Sequence, residues 1–446
     1  MGDAANDSVN VAAANLPKVA WGKGLYVHDT TGKSYLDASG GPVVYCLGHG
    51  NAEVNAAIID QLGRIAHGYR YFFTSDPLEE LTEIVAQSCG GSLVKMVFVS
   101  GGSEAVESAL KIALQYHAAR GEMTRRRFIS RQRSWHGNTL GALSISDFRE
   151  RRAPFEGALV PCSFLHPVNA YRPPPGVAAG DVAVWCAQEL EDEILRRGPH
   201  TIAAFVFEPV VGAAGGVVPA PEGYAARVRE ICSRHGVLMI ADEVMCGAGR
   251  CGTWRALEHE GVAPDIMAVA KGLGGGYLPL GATVYSRAIA DVIEPAHGGP
   301  LTGHTFTGHT AALAAGVAVQ RIIRRDHLLQ NVHANGTVFL NLLHAATSDI
   351  ESVGDIRGRG YFAGLELVAD RKTKKPFAPD LKLHLRIRRQ AMEHGMICYP
   401  CSGNVDGIAG DTVILAPPYF TGQNDLSLIA EKMAVSLRAA LAEIGR

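Results

Sequence analysis

At 446 residues the chain is too long for one hydrophobic core and is expected to divide into two packed units. With 47% apolar residues, 19% charged residues and a formal net charge of -2, it reads as globular, with no positive excess to draw a nucleic acid. No apolar run reaches the roughly 18 to 20 residues that a membrane span needs, since the best stretch, 202–218, is interrupted by Glu208 and Pro209.

The opening residues 1–16 carry two aspartates and no Lys or Arg, unlike a basic leader, so a cytoplasmic location is the expectation. Residues 24–38 alternate like a hairpin with its turn at 30–32. From about 94 to 286 short apolar runs alternate with helical stretches, which is an α/β pattern. The strands fall at 94–99, 127–130, 203–207, 237–241, 266–270 and 282–285, several of them continuously apolar, as parallel strands covered on both faces should be. Helices are expected at 104–120 and at 225–235, the second capped by Gly236. The Pro/Gly-rich segment 171–180 reads as a surface excursion, and the arginine runs 125–127 and 149–152 as solvated loop charge. Residues 356–368 read as one further strand and 425–444 as an amphipathic surface helix. Nine scattered cysteines suit reduced thiols; Cys398 and Cys401 could form a redox pair, but ordinary packing is the better reading, and no second pair completes a zinc site.

Four clusters carry chemistry. The strand at 94–99 runs through Ser100, Gly101, Gly102 and Ser103 straight into a helix. Such a junction suits an anion, because glycines allow close backbone approach and the unpaired amides of the first turn point outward. It lacks the Lys-Ser/Thr ending of a nucleotide-binding phosphate loop, and neither glycine loop has full dinucleotide spacing. A second cluster, Trp135, His136 and Gly137, offers an aromatic plate beside a flexible turn, although a lone aromatic after a strand is more often part of a core. The strand at 237–241 ends in Asp242, and the next ends in Lys271 ahead of Gly272. In an open α/β sheet, ligands gather at such strand ends. A lysine abutting an apolar strand should lose its charge more easily and become a nucleophile, unless it snorkels outward. A phosphate cradle, an aromatic plate, a carboxylate and a desolvated lysine together suit a charged heteroaromatic aldehyde phosphate, pyridoxal 5'-phosphate.

These residues, with Leu36-Asp37, Glu208-Pro209, Asp242-Glu243-Val244, Lys271-Gly272 and Ala416-Pro417-Pro418, resemble those of the class III aminotransferases, members of the fold-type I pyridoxal phosphate enzymes. The resemblance runs from about residue 24 to the C-terminus. It implies a large domain with a mixed, mostly parallel doubly wound sheet, placed at 61–325, and a small α+β domain built from both chain ends, 1–60 and 326–446. It implies that Lys271 carries the cofactor and later moves a proton between substrate and cofactor, and that Asp242 pairs with the ring nitrogen. Val244 and Trp135 would flank the ring, with Trp135 standing where relatives usually have Tyr or Phe. Gly102 and Ser103 would hold the phosphate, helped by Thr305 of a neighbouring subunit, so that a homodimer would share its active sites. Glu208 and His136 would support the Asp242 end.

Departures bear on the substrate. Ala213 stands where ornithine-type and γ-aminobutyrate-type members carry a gating glutamate, and Met245 where they tend to have Gln, which leans toward the amine:pyruvate and ω-amino acid subgroup. The segment 403–411 lacks the arginine that such enzymes often place there. Val43, in place of a bulky aromatic, suggests a roomier pocket, with Tyr26, Tyr45 and Phe73 as lining candidates. The implied activity is transfer of an amino group from a primary amine or ω-amino acid to a 2-oxo acid such as pyruvate; decarboxylation or amino-group migration is the alternative on the same fold.

Overall fold

A computed structural model describes residues 16–446. The opening segment, read above as lacking a basic leader, lies almost wholly outside the described residues.

At the centre is a seven-stranded sheet. From edge to edge its strands are Leu93–Val99, Gly281–Ser286, Ile266–Val269, Leu238–Asp242, Ile202–Phe207, Arg127–Arg131 and Cys162–Leu165. All neighbours are parallel except at Gly281–Ser286, which runs antiparallel to both its partners. The continuous apolar runs arise from burial on both faces. In Ile202–Phe207 every residue is buried: Phe205 and Phe207 point into one core, and Val206 points into the other, beneath helix Gly102–Ala119. A strand with one wet face would have had to alternate.

Two four-stranded sheets lie outside this unit. One joins the hairpin strands Tyr26–Asp29 and Ser34–Asp37 to an outer strand Val19–Lys23 and, in parallel, to Met396–Ile397 from the far end of the chain. The other is wholly antiparallel, with strand order Val353–Arg359, Phe362–Leu367, Asp411–Leu415 and Tyr399–Ser402. The fold is thus a mixed α/β sheet with a smaller α+β unit assembled from both ends of the chain. The last helix, Gln423–Ala442, buries Leu426, Ile429, Met433 and Leu437 in the small unit's core.

Three expectations are corrected. Residues 356–368 are not one strand but a tight hairpin, turned at Gly360 with φ +58°, a conformation that favours glycine. The proline-rich excursion does run over the surface at 175–180, but its start is docked: Arg172 Nε donates to the fully buried Glu366 carboxylate at 2.5 Å, and Lys374 Nζ donates to the Tyr171 carbonyl at 2.6 Å. The arginine runs are only partly solvated. Arg125 donates to the carbonyls of Pro199, Ile202 and His235, and Arg152 to those of Leu143, Ser144 and Ser146, so each guanidinium ties together carbonyls at the ends of neighbouring segments.

Candidate active site

The carboxyl ends of the parallel strands open on a cavity of about 410 Å³ lined by Ser100–Ser103, Trp135–Gly137, Glu208, Asp242, Val244, Met245 and Lys271. Parallel strands with helices on both faces bring these segments together, because each strand delivers its following loop to the same edge.

The acidic end is a buried relay. His136 Nδ1 is 2.8 Å from Asp242 Oδ2, and its Nε2 is 3.2 Å from the Ser130 hydroxyl. The other Asp242 oxygen accepts the Val244 amide at 3.0 Å, and the Ser146 hydroxyl accepts the His136 amide at 2.8 Å. Glu208 accepts the amides of Trp135 and Gly212 at 2.9 and 2.8 Å. Burial pushes its carboxyl up, against the pull of His136 and with the push of Asp242. Trp135 is therefore tied by its backbone to the same carboxylate network that faces Asp242.

Lys271 follows strand Ile266–Val269 and has φ +44°, an uncommon conformation for a side chain longer than glycine. Such strain is concentrated at functional sites. Part of its side chain faces the cavity, and burial of its ammonium brings the pKa down to about 8, against the opposing attraction of Asp242 and Glu208. At neutral pH the amine is within reach of its neutral, nucleophilic form.

The anion cradle is shaped by close approach. A Cβ on Gly102 would lie 2.8 Å from Val244 Cγ1, and one on Gly137, whose φ is +143°, would lie 2.8 Å from Ser103 Cα and Oγ. Ser103 Oγ accepts the Asn138 amide at 2.9 Å, which binds the two turns together. Helix Gly102–Ala119 begins at this point, with its first amides available to a phosphate.

Pyridoxal phosphate fits this donor set. The helix N-terminus could take its phosphate, Val244 and Trp135 could flank its ring, Asp242 could hold its ring nitrogen, and Lys271 could carry it covalently. Of the pocket candidates, Val43 and Ala213 sit in one apolar cluster with Met245 and Cys401, while Val44 is the residue that lines the cavity. Tyr45 packs behind Gly276, where a Cβ would lie 2.8 Å from its ring. Tyr26 lies on the outer hairpin, 37% exposed. Phe73 is 68% exposed, and Thr305 is exposed in the segment whose His304 accepts the Ser100 amide at 3.3 Å. Burial pushes the Cys398 and Cys401 thiols up to about 12, so both are protonated and inert. Sequence reasoning missed Ser130, whose contact with His136 left no signal in the sequence.

The fold and this site define a fold-type I, pyridoxal phosphate-dependent transferase. More narrowly, the chain belongs to the class-III aminotransferase family, whose profile matches residues 9–437. An uncharacterized aminotransferase of Bacillus subtilis, YodT, is 39% identical over 94% of this chain and 95% of its own length. An amine transaminase from an uncultivated Pseudomonas species, solved in its PLP-bound form, superimposes with a TM-score of 0.90 at 34% identity, covering 99% of this chain and 98% of that one. A thermostable (S)-enantioselective omega-transaminase from Thermomicrobium roseum gives 0.89 at 32% identity, covering 97% and 93%.

Proposed function

We propose that this aminotransferase moves an amino group from a primary amine or ω-amino acid to a 2-oxo acid, pyruvate foremost, in two half-reactions of a ping-pong cycle. The observation that carries the reading is the pairing of a strained, partly neutral Lys271 with a buried Asp242 in a cavity whose remaining wall is apolar: Val44, Met245, Leu278 and Leu280. The omega-transaminase and amine transaminase neighbours favour the same donor class.

When bound, the cofactor supplies an electron-poor ring able to accept the electron pair released at the substrate carbon. Asp242 holds the ring nitrogen's proton, and His136 and Ser130 hold Asp242 in place. Lys271 Nζ, which would carry the cofactor, would also be the group placed to take up the proton from the substrate carbon. Ser100, Gly101, Gly102 and Ser103 would hold the phosphate, and Val244 and Trp135 would keep water from the ring. Residues 61–325 would form the cofactor-binding domain, with 1–60 and 326–446 as the small one.

The working assembly in this reading is a C2 homodimer in the cytoplasm, with Thr305 of one protomer at its partner's phosphate site. Supporting it is an exposed aromatic surface: Tyr69, Tyr71, Phe72 and Phe73 are each at least half exposed, and Phe306 is 55% exposed with its ring 6.2 Å from His67. So large an apolar patch needs a cover. Nine free cysteines suit a reducing compartment.

The test is an absorbance spectrum of the purified protein with pyridoxal phosphate, before and after a primary amine. A band from the Lys271-attached cofactor, lost in Lys271→Ala and shifted by the amine, is expected, with pyruvate restoring it. Release of carbon dioxide without amino transfer to pyruvate would overturn the reading in favour of decarboxylation.

A further inference from the structure

A 2-oxo acid carries a carboxylate, and the floor of this cavity is acidic, with Asp242 and Glu208 both facing it. An anion entering there needs a cation away from the floor. Lys271, committed to the cofactor, is the one Lys or Arg among the described cavity-lining residues.

A second cation stands against Trp135, one residue beyond the cavity's own lining. The Arg151 guanidinium lies 4.8 Å from the centroid of the Trp135 ring and 5.2 Å from that of Phe148, and the two rings meet edge to face at 5.8 Å and 81°. Trp135 lines the cavity, and Phe148 and Tyr399 pack against the apolar cluster of Val43, Ala213, Met245 and Cys401 behind it. The guanidinium is also close enough to Tyr399 to oppose the rise that burial gives its hydroxyl, and the Cys401 thiol feels both Arg151 and Lys271. Of the neighbouring arginines, Arg133 pairs with Asp147, Arg152 donates to three carbonyls, and Arg149 lines a different cavity with Ser402 and Gly403. Arg151 is exposed and has no ion pair among the described residues. A guanidinium held by two aromatic faces keeps its fork of donors available, which is the pre-organised form that pairs with a carboxylate.

We infer that Arg151 is the specificity-determining residue of this site, pairing with the carboxylate of the 2-oxo acid acceptor and of ω-amino acid donors while carboxylate-free amines turn over without it. The inference rests on the aminotransfer reading above, and it deepens that reading by naming the group that reads the substrate's charge.

The test compares Arg151→Met and Arg151→Lys with the wild-type holoenzyme, using the matched donors 4-aminobutyrate and butylamine. In Arg151→Met the ratio of kcat/KM for 4-aminobutyrate to that for butylamine is expected to fall about tenfold or more, mainly through KM, with partial recovery in Arg151→Lys. Calorimetry with propionate, an unreactive carboxylate, should show binding to the wild type that Arg151→Met weakens to the same degree. Equal losses with both donors would reduce Arg151 to a support for Trp135, and an unchanged ratio would exclude it from recognition; either overturns the inference. If the wild type transfers from neither donor, the aminotransfer reading fails, and the propionate titration still decides the role of Arg151.

Discussion

His136 Nδ1 and Asp242 Oδ2 lie 2.8 Å apart in a pocket where both side chains are buried, and the Ser130 hydroxyl completes the chain from the other side of the ring. Both ring nitrogens of the histidine are therefore taken up by the protein. The histidine fixes the orientation of the carboxylate that would hold the cofactor's ring nitrogen. Replacing His136 by Phe leaves Asp242 buried with one fewer partner, a loss of about 1–3 kcal/mol. Cofactor affinity is expected to fall by about tenfold to a hundredfold, read by fluorescence titration of the apoprotein. His136→Asn, which can still donate, should recover part of it.

The Lys271 amine should titrate near 8 in the cofactor-free protein. Only the neutral amine adds to an aldehyde, so the rate of covalent attachment should climb with pH and level off above that value. Asp242→Asn removes a carboxylate that favours the charged ammonium, so the Lys271 pKa drops and the plateau moves to lower pH. Stopped-flow absorbance across pH 6 to 10 measures both curves. A plateau displaced upward in the variant would contradict the electrostatic account.

Gly137→Ala places a Cβ 2.8 Å from Ser103 Cα in a backbone conformation with φ +143°. The strain should cost about 1–3 kcal/mol. Because the displaced partner is the turn that would cradle the phosphate, cofactor affinity should fall along with thermal stability. Gly121→Ala, at φ +79° but with nothing within 4 Å, offers a control in which backbone strain acts without the clash.

Glu366 is fully buried and accepts from Arg172 at 2.5 Å and Arg357 at 2.7 Å. Glu366→Gln would leave Arg172 without its counter-charge and Arg357 with Asp355 alone. Removing one partner from such a buried network is worth about 3–5 kcal/mol. Urea unfolding should show that loss in the midpoint, with the absorbance of bound cofactor unaltered in native protein at low denaturant.

The central sheet could be read in the sequence because double-sided burial leaves a local mark, as in Ile202–Phe207 and Leu238–Asp242, where every residue is buried. Asp242 and Lys271 were legible for the same reason: a charge abutting such a run stands out. What escaped depends on partners distant along the chain. Val19–Lys23 is mostly exposed and carries no periodic pattern, and its pairing with Tyr26–Asp29 is what makes it a strand. Arg172 meets Glu366 across 194 positions, which no local composition reveals. Arg151 looked like its neighbours in a basic run until the fold set two aromatic rings against it.

The parallel pairing of Leu36 with Met396 joins strands from opposite ends of the chain. All seven strands of the central sheet lie between them in sequence, so that sheet has its full complement of residues while the small unit still lacks a strand. During synthesis the N-terminal hairpin must wait, with its edge unpaired, until residues near 397 leave the ribosome. Closing so long a loop is a late and slow event, and the protein is most exposed to misassembly during that interval.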